Sequence, residues 1–217
     1  MVTFYSDISE SHQEWIKNQK MFFVASAPLT AKGHVNVSPK GYDAFRILSS
    51  SQVCYLDLTG SGAETLSHVK ENGRLTFMFC AFDGPPRIIR LWAHGKVHEK
   101  GTPEYERIAA VEFPDLTAQN GPRAIIVGDV YKVGQSCGFG VPVYEFKEQR
   151  ERLLEFNRKV NIEKYWADNN TKSIDGLPGK GAAASYSRWW QESVPLVAAF
   201  AAGMTVAMAA VKVLGTK

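Results

Sequence analysis

The run Thr59-Gly60-Ser61-Gly62-Ala63-Glu64-Thr65 joins an apolar stretch to one of helical character. Gly60 and Gly62 let the backbone approach a ligand closely. The free amides of a helix start, with the positive end of its dipole, favour a phosphate there. Ser61 and Glu64 also have capping-box spacing, so the same run reads equally as a capped helix after a tight turn. Ser38-Pro39-Lys40-Gly41 is a second element of this kind. Its rigid turn presents Lys40 to a phosphate, although a turn lysine is more often simply solvated. Arg90, Trp92, His94, Lys96 and His98 alternate, which on a strand puts them on one face. Arg90 beside Trp92 suits a phosphate and an aromatic ring, while Lys96 and His98 read as polar outer surface.

Other chemistries find less support. On a strand His94 and His98 lie ~13 Å apart, too far to share a metal ion. Cys137 sits in a glycine-rich loop and is more available than Cys54 and Cys80, but a catalytic thiol also needs a nearby base. GxSxG, HExxH and Walker patterns are absent, so hydrolase and nucleotide-triphosphatase readings have no basis.

These residues need a scaffold, and the chain supplies one. Its 217 residues suit one domain with an appendage, and 45% hydrophobic with 22% charged residues excludes wholesale disorder. The net charge of +3 is too small to indicate nucleic-acid binding. Three widely spaced cysteines without a CxxC pair, and no secretory signal at the start, point to the cytoplasm. Ser11 to Glu14 has capping-box spacing for a helix through Lys20. Strands are expected at Met21–Ala27, His34–Ser38, Val53–Leu58, Leu75–Phe82, Ile88–His98 and Arg123–Val133. Helices are expected at Ala63–Asn72, from Thr102-Pro103-Glu104, and along Glu148–Asp168. Strands without alternating helices argue for a mainly β fold with helical additions, a small barrel or sandwich, and against a Rossmann fold.

Taken in order, several motifs resemble one family. They are Ser38-Pro39-Lys40-Gly41, Tyr55 to Gly62, Phe79 to Pro86, Arg90-Leu91, Ser136 to Pro142 and Ser173 to Gly179. The chain from Phe22 to Gly179 resembles the pyridoxamine 5′-phosphate oxidase-like FMN-binding split barrels, in an uncharacterised bacterial and fungal branch. The resemblance implies a six-stranded split β-barrel over residues 1–180 that forms a homodimer with two FMN sites at its interface. It implies phosphate binding by Ser38, Lys40, Thr59, Gly60, Ser61, Gly62 and Thr65, with Arg90 and Trp92 beside the flavin. Catalysis would be redox chemistry on a small molecule by the flavin, with no metal and no assigned catalytic side chain. The true oxidases carry an Arg-Lys pair near the places of Gly62 and Ala63, and a substrate-binding tail segment absent here, so vitamin B6 oxidation is not implied. The alternative is a non-catalytic module tethered to a membrane and holding flavin or haem, with His94 or Cys137 as axial ligand to the latter.

After a linker at 181–193, residues 194–211 contain no charge; Trp189 and Trp190 precede them and Lys212 follows. The run at 194–214 is long enough for a membrane-spanning tail anchor, or for an alanine-rich helix packed on protein. Deleting Val194 to Lys217 is expected to move the protein from the membrane to the soluble fraction. Full-length protein found wholly in the soluble fraction would leave the packed helix.

Overall fold

The computed structural model describes residues 2–183. The apolar run at 194–214, expected as a C-terminal hydrophobic helix, lies outside the described residues. Among the described residues no helix is long and apolar enough to cross a membrane.

Among the described residues, eight strands form one antiparallel sheet: β1 (Thr3–Tyr5), β2 (Phe22–Ser26), β3 (Asn36–Lys40), β4 (Phe45–Ser49), β5 (Gln52–Leu58), β6 (Arg74–Cys80), β7 (Ile88–Glu99) and β8 (Pro122–Ser136). Their spatial order is β3-β2-β6-β7-β8-β5-β4. One edge of β8 pairs with β7 along its length; the other pairs with β5 through Pro122–Asp129 and then with β1 through Val133–Gln135. The fold is thus mainly β with helical additions, as expected, but with eight strands rather than six. β1 is three exposed residues long, and β4 is only half-buried along most of its length, so neither carries strong apolar alternation.

Two apolar clusters account for the apolar runs. The inner one gathers Phe22, Val24, Tyr55, Leu75, Phe77, Phe79, Leu91 and Ile126 inside the curved sheet. The outer one places Cys54, Leu56, Leu58, Ile125 and Val127 against Tyr105, Ile108 and Phe113 of and beside helix α3 (Pro103–Glu112). β5 is buried on both faces, which is why it reads as an unbroken run.

The remaining helices are α1 (Glu10–Lys17), α2 (Glu64–Asn72), α4 (Pro114–Thr117), α5 (Arg152–Lys159) and α6 (Ile162–Asn169). α1 is capped by the hydroxyl of Ser9, which accepts from the His12 amide, rather than by Ser11. The expected single helix at Glu148–Asp168 is two eight-residue helices. Val160 takes an extended conformation, and the Asn161 side chain accepts from the Lys164 amide to restart the helix. α2 ends at Gly73, whose φ of 68° is left-handed.

Phe77 is fully buried among Phe45, Tyr55 and Gly128, where a Cβ would come within 2.9 Å of its ring. Phe77→Ala is expected to cost about 3–5 kcal/mol, read as a lowered denaturant midpoint with little change in slope.

Candidate functional site

The polar end of the sheet lies under the start of α2. β5 enters the interior as Val53-Cys54-Tyr55 and continues to Asp57, whose side chain is fully buried. A buried carboxylate needs partners, and two cations supply them. Arg123, at the start of β8 and itself buried, donates from Nε to Asp57 Oδ2 at 2.7 Å. Lys40, at the end of β3, donates from Nζ to Asp57 Oδ1 at 3.2 Å. Burial alone would raise the Asp57 carboxyl, but Arg123 and then Lys40 outweigh it and hold it below its ordinary 3.8. Burial would likewise lower the Arg123 guanidinium, and Asp57 outweighs that to raise it.

The network extends outward. Arg123 Nη1 donates to Asn170 Oδ1 at 2.9 Å, and Asn170 Nδ2 donates to the Gly60 carbonyl at 3.1 Å. The glycine turn is thereby tied to the segment after α6. Asn36 Nδ2 donates to Thr65 Oγ1 at 2.9 Å, and the Ser38 hydroxyl donates to Asn36 Oδ1 at 3.2 Å.

Above this floor opens a cleft of about 460 Å³ lined by Ser38, Lys40, Leu58, Gly60, Ser61, Gly62, Glu64, Thr65 and Arg123. Six residues singled out from sequence (Ser38, Lys40, Gly60, Ser61, Gly62 and Thr65) therefore converge on one space. Three others stand elsewhere. Thr59 is buried; its hydroxyl donates to the Gly121 carbonyl and accepts from Trp166 Nε1 at 2.7 Å, so it packs the wall behind the cleft. Arg90 and Trp92 lie on β7 and are not among the residues lining the cleft. Trp92 is covered by Phe4 of β1 at 6.1 Å between ring centres, with the Lys132 ammonium 5.9 Å from its ring.

The capping box expected of Ser61 and Glu64 does not form. Ala63 is the N-cap, with no side-chain cap. Glu64 instead folds back: a Cβ on Gly62 would collide with its Oε2, while Oε1 accepts from the Ile174 amide at 3.2 Å. The first-turn amides of α2, which have no intrahelical acceptor, are thus left uncapped by a side chain. Arg123 was not evident from sequence as part of the site, nor were Asp57 and Asn170, and Glu64 was read there only as a capping residue. The one available sign was an acid inside the apolar Tyr55-Leu56-Asp57-Leu58, since buried acids occur almost only when paired.

The donor set matches a phosphate: an ammonium, three hydroxyls, glycine backbone and a helix N-terminus. Lys40 and Arg123 are balanced in charge by Asp57 and Glu64, so recognition falls on hydroxyls, amides and the helix dipole as much as on net charge.

The family model described as "Pyridoxamine 5'-phosphate oxidase" matches residues 8–137, more than half of the chain. The pyridoxamine 5'-phosphate oxidase family protein ustO of Aspergillus flavus is 39% identical over 211 residues, covering 88% of this chain and 84% of that protein. Among solved structures, HupZ of Group A Streptococcus is 21% identical, with a TM-score of 0.46 over 58% of this chain and 91% of that one. An FMN-binding protein from Syntrophomonas wolfei is 16% identical, with a TM-score of 0.41 over 62% of this chain and 84% of that one.

Asp57→Asn leaves Arg123 buried beside a neutral amide and is expected to destabilise the fold by about 3–5 kcal/mol. Because the folded carboxyl lies below its ordinary value, its stabilisation is complete above about pH 4 and is lost as pH falls further. Acid titrations of stability should therefore show a steeper fall for the parent protein than for Asp57→Asn below that pH.

Proposed function

Because the chain belongs to the pyridoxamine 5′-phosphate oxidase family, we propose that it is an FMN-dependent oxidoreductase acting on a small molecule other than a B6 vitamer. The observation that carries this reading is the cleft at the start of α2, which gathers Ser38, Lys40, Gly60, Ser61, Gly62 and Thr65. Bound there, FMN would supply hydride or electron transfer, and the protein would supply binding and orientation.

Each residue has a definable part. Lys40 meets the phosphate charge, and Asp57 holds its ammonium at the inner end of the cleft. Ser61 and Thr65 offer hydroxyls, and Asn36 fixes that of Thr65 by donating to its oxygen. The first-turn amides of α2 complete the cradle. Gly60 leaves open space, since a Cβ there meets nothing within 4 Å. Glu64 opposes the anion and must turn away from Gly62 as it enters. The homodimer belongs to the same reading: Arg90 and Trp92, which line no part of the chain's own cleft, are the residues a second copy would bring.

Comparison of FMN with riboflavin, which lacks only the phosphate, isolates the cleft. Titrated by flavin fluorescence, the protein is expected to bind FMN at least ~100-fold more tightly, about 2.8 kcal/mol. Lys40→Ala should weaken FMN by roughly tenfold and leave riboflavin unchanged. Equal affinity for both flavins, or an unaffected Lys40→Ala variant, would contradict the assignment.

A further inference from the structure

The segment after α6 lies beyond residue 137, where the family match ends. It runs along α2 and touches one side of that helix at successive turns. The Ile174 amide donates to Glu64 Oε1 at 3.2 Å. The Ser67 hydroxyl donates to the Leu177 carbonyl at 3.5 Å, and the Lys70 ammonium to the Gly179 carbonyl at 2.8 Å. Glu64, Ser67 and Lys70 are spaced by three, as neighbours on a helix surface are.

The loop that meets Glu64 is braced from within. The Ser173 amide donates to the Leu177 carbonyl at 2.9 Å, and the Gly176 amide to the Ser173 carbonyl at 2.9 Å. The Leu177 amide donates to the Ser173 hydroxyl oxygen at 3.1 Å. Gly176 makes the turn at a left-handed φ of 77°. The loop is also fastened from outside, to the residues just before β3. Asp175 Oδ2 accepts from the His34 amide at 2.8 Å, and Oδ1 pairs with His34 Nδ1 at 2.6 Å. The Ile174 amide is therefore a fixed donor, and it holds a carboxylate that lines the anion cleft. The other oxygen of that carboxylate lies over Gly62, where a Cβ would come within 2.0 Å of it.

We propose that the loop Ser173–Gly179 gates the anion cleft: fastened to His34 through Asp175, it holds the Glu64 carboxylate in the path of an entering anion. The proposal rests on the phosphate reading of the cleft above. A carboxylate and a phosphate repel each other at close range, so the anion and the Ile174 amide compete for the position of Glu64. The competition is reciprocal. Loosening the loop tightens anion binding, and a bound anion loosens the loop.

Inorganic phosphate is the probe, titrated by calorimetry at constant ionic strength, with FMN titrated in parallel by fluorescence. Asp175→Ala removes the fastening and leaves the backbone unaltered. Ile174→Pro removes the amide that holds Glu64. Each is expected to tighten phosphate by roughly fivefold, with melting curves as the check on folding. Both substitutions are then repeated on Glu64→Gln, where no charge is left to hold back, and there the gain should vanish. Phosphate affinity unchanged by Asp175→Ala, or raised equally with and without the Glu64 charge, would overturn the gate and leave the cleft reading standing. Neither phosphate nor FMN bound by the parent or any variant would overturn both.

Discussion

A single buried carboxylate organises the functional end of this protein. Asp57 lies in the interior with no exposed side-chain surface, and desolvating an unpaired charge there would cost more than a fold of this size can spare. Arg123 and Lys40 answer it from two different strands. Once they do, much else follows. Arg123 fixes Asn170, Asn170 fixes the Gly60 carbonyl, and the segment after α6 is drawn against the glycine turn. The same segment is tied down again where buried Lys70 bonds Glu99 and the Gly179 and Ala182 carbonyls. The cleft at the start of α2 is therefore shaped by a buried charge that is not among its lining residues.

The balance of charges has a functional meaning. Lys40 is committed to Asp57, so it offers an anion a fixed position rather than a free charge. Glu64 adds a carboxylate to the lining of the same cleft. A phosphate entering such a site gains from hydroxyls, amides and the helix dipole, and meets one opposing charge that can rotate away. Under the proposed reading, hydrogen-bond geometry would therefore carry more of the recognition than electrostatic attraction.

Much of the scaffold was legible in the sequence because burial writes itself as periodicity. The run ending at Leu58 is a strand claimed by both clusters, and the run starting at Ile88 is one whose Ile89, Leu91 and Ala93 the inner cluster claims. β1 and β4 left little trace: one is exposed and short, the other half-buried. In the site, the glycine turn and Ser38-Pro39-Lys40-Gly41 were readable because their types suit an anion whatever lies between them. The Asp57–Arg123 pair spans 66 positions, and only folding makes the two neighbours. Ser61 and Glu64 show the opposite case: their spacing suits a capping box, but Glu64 bonds Ile174, 110 residues away, and the helix starts from Ala63. A tertiary contact outweighed a local preference.

In the proposed complex a phosphate sits at the start of α2 against Lys40. A crystal structure grown with FMN tests it most directly. Phosphate oxygens are expected within hydrogen-bonding distance of Lys40 Nζ, the Ser61 and Thr65 hydroxyls and the first-turn amides of α2, with Glu64 swung off Gly62. FMN bound with its phosphate elsewhere, or a cleft still closed by Glu64 in excess FMN, would contradict it.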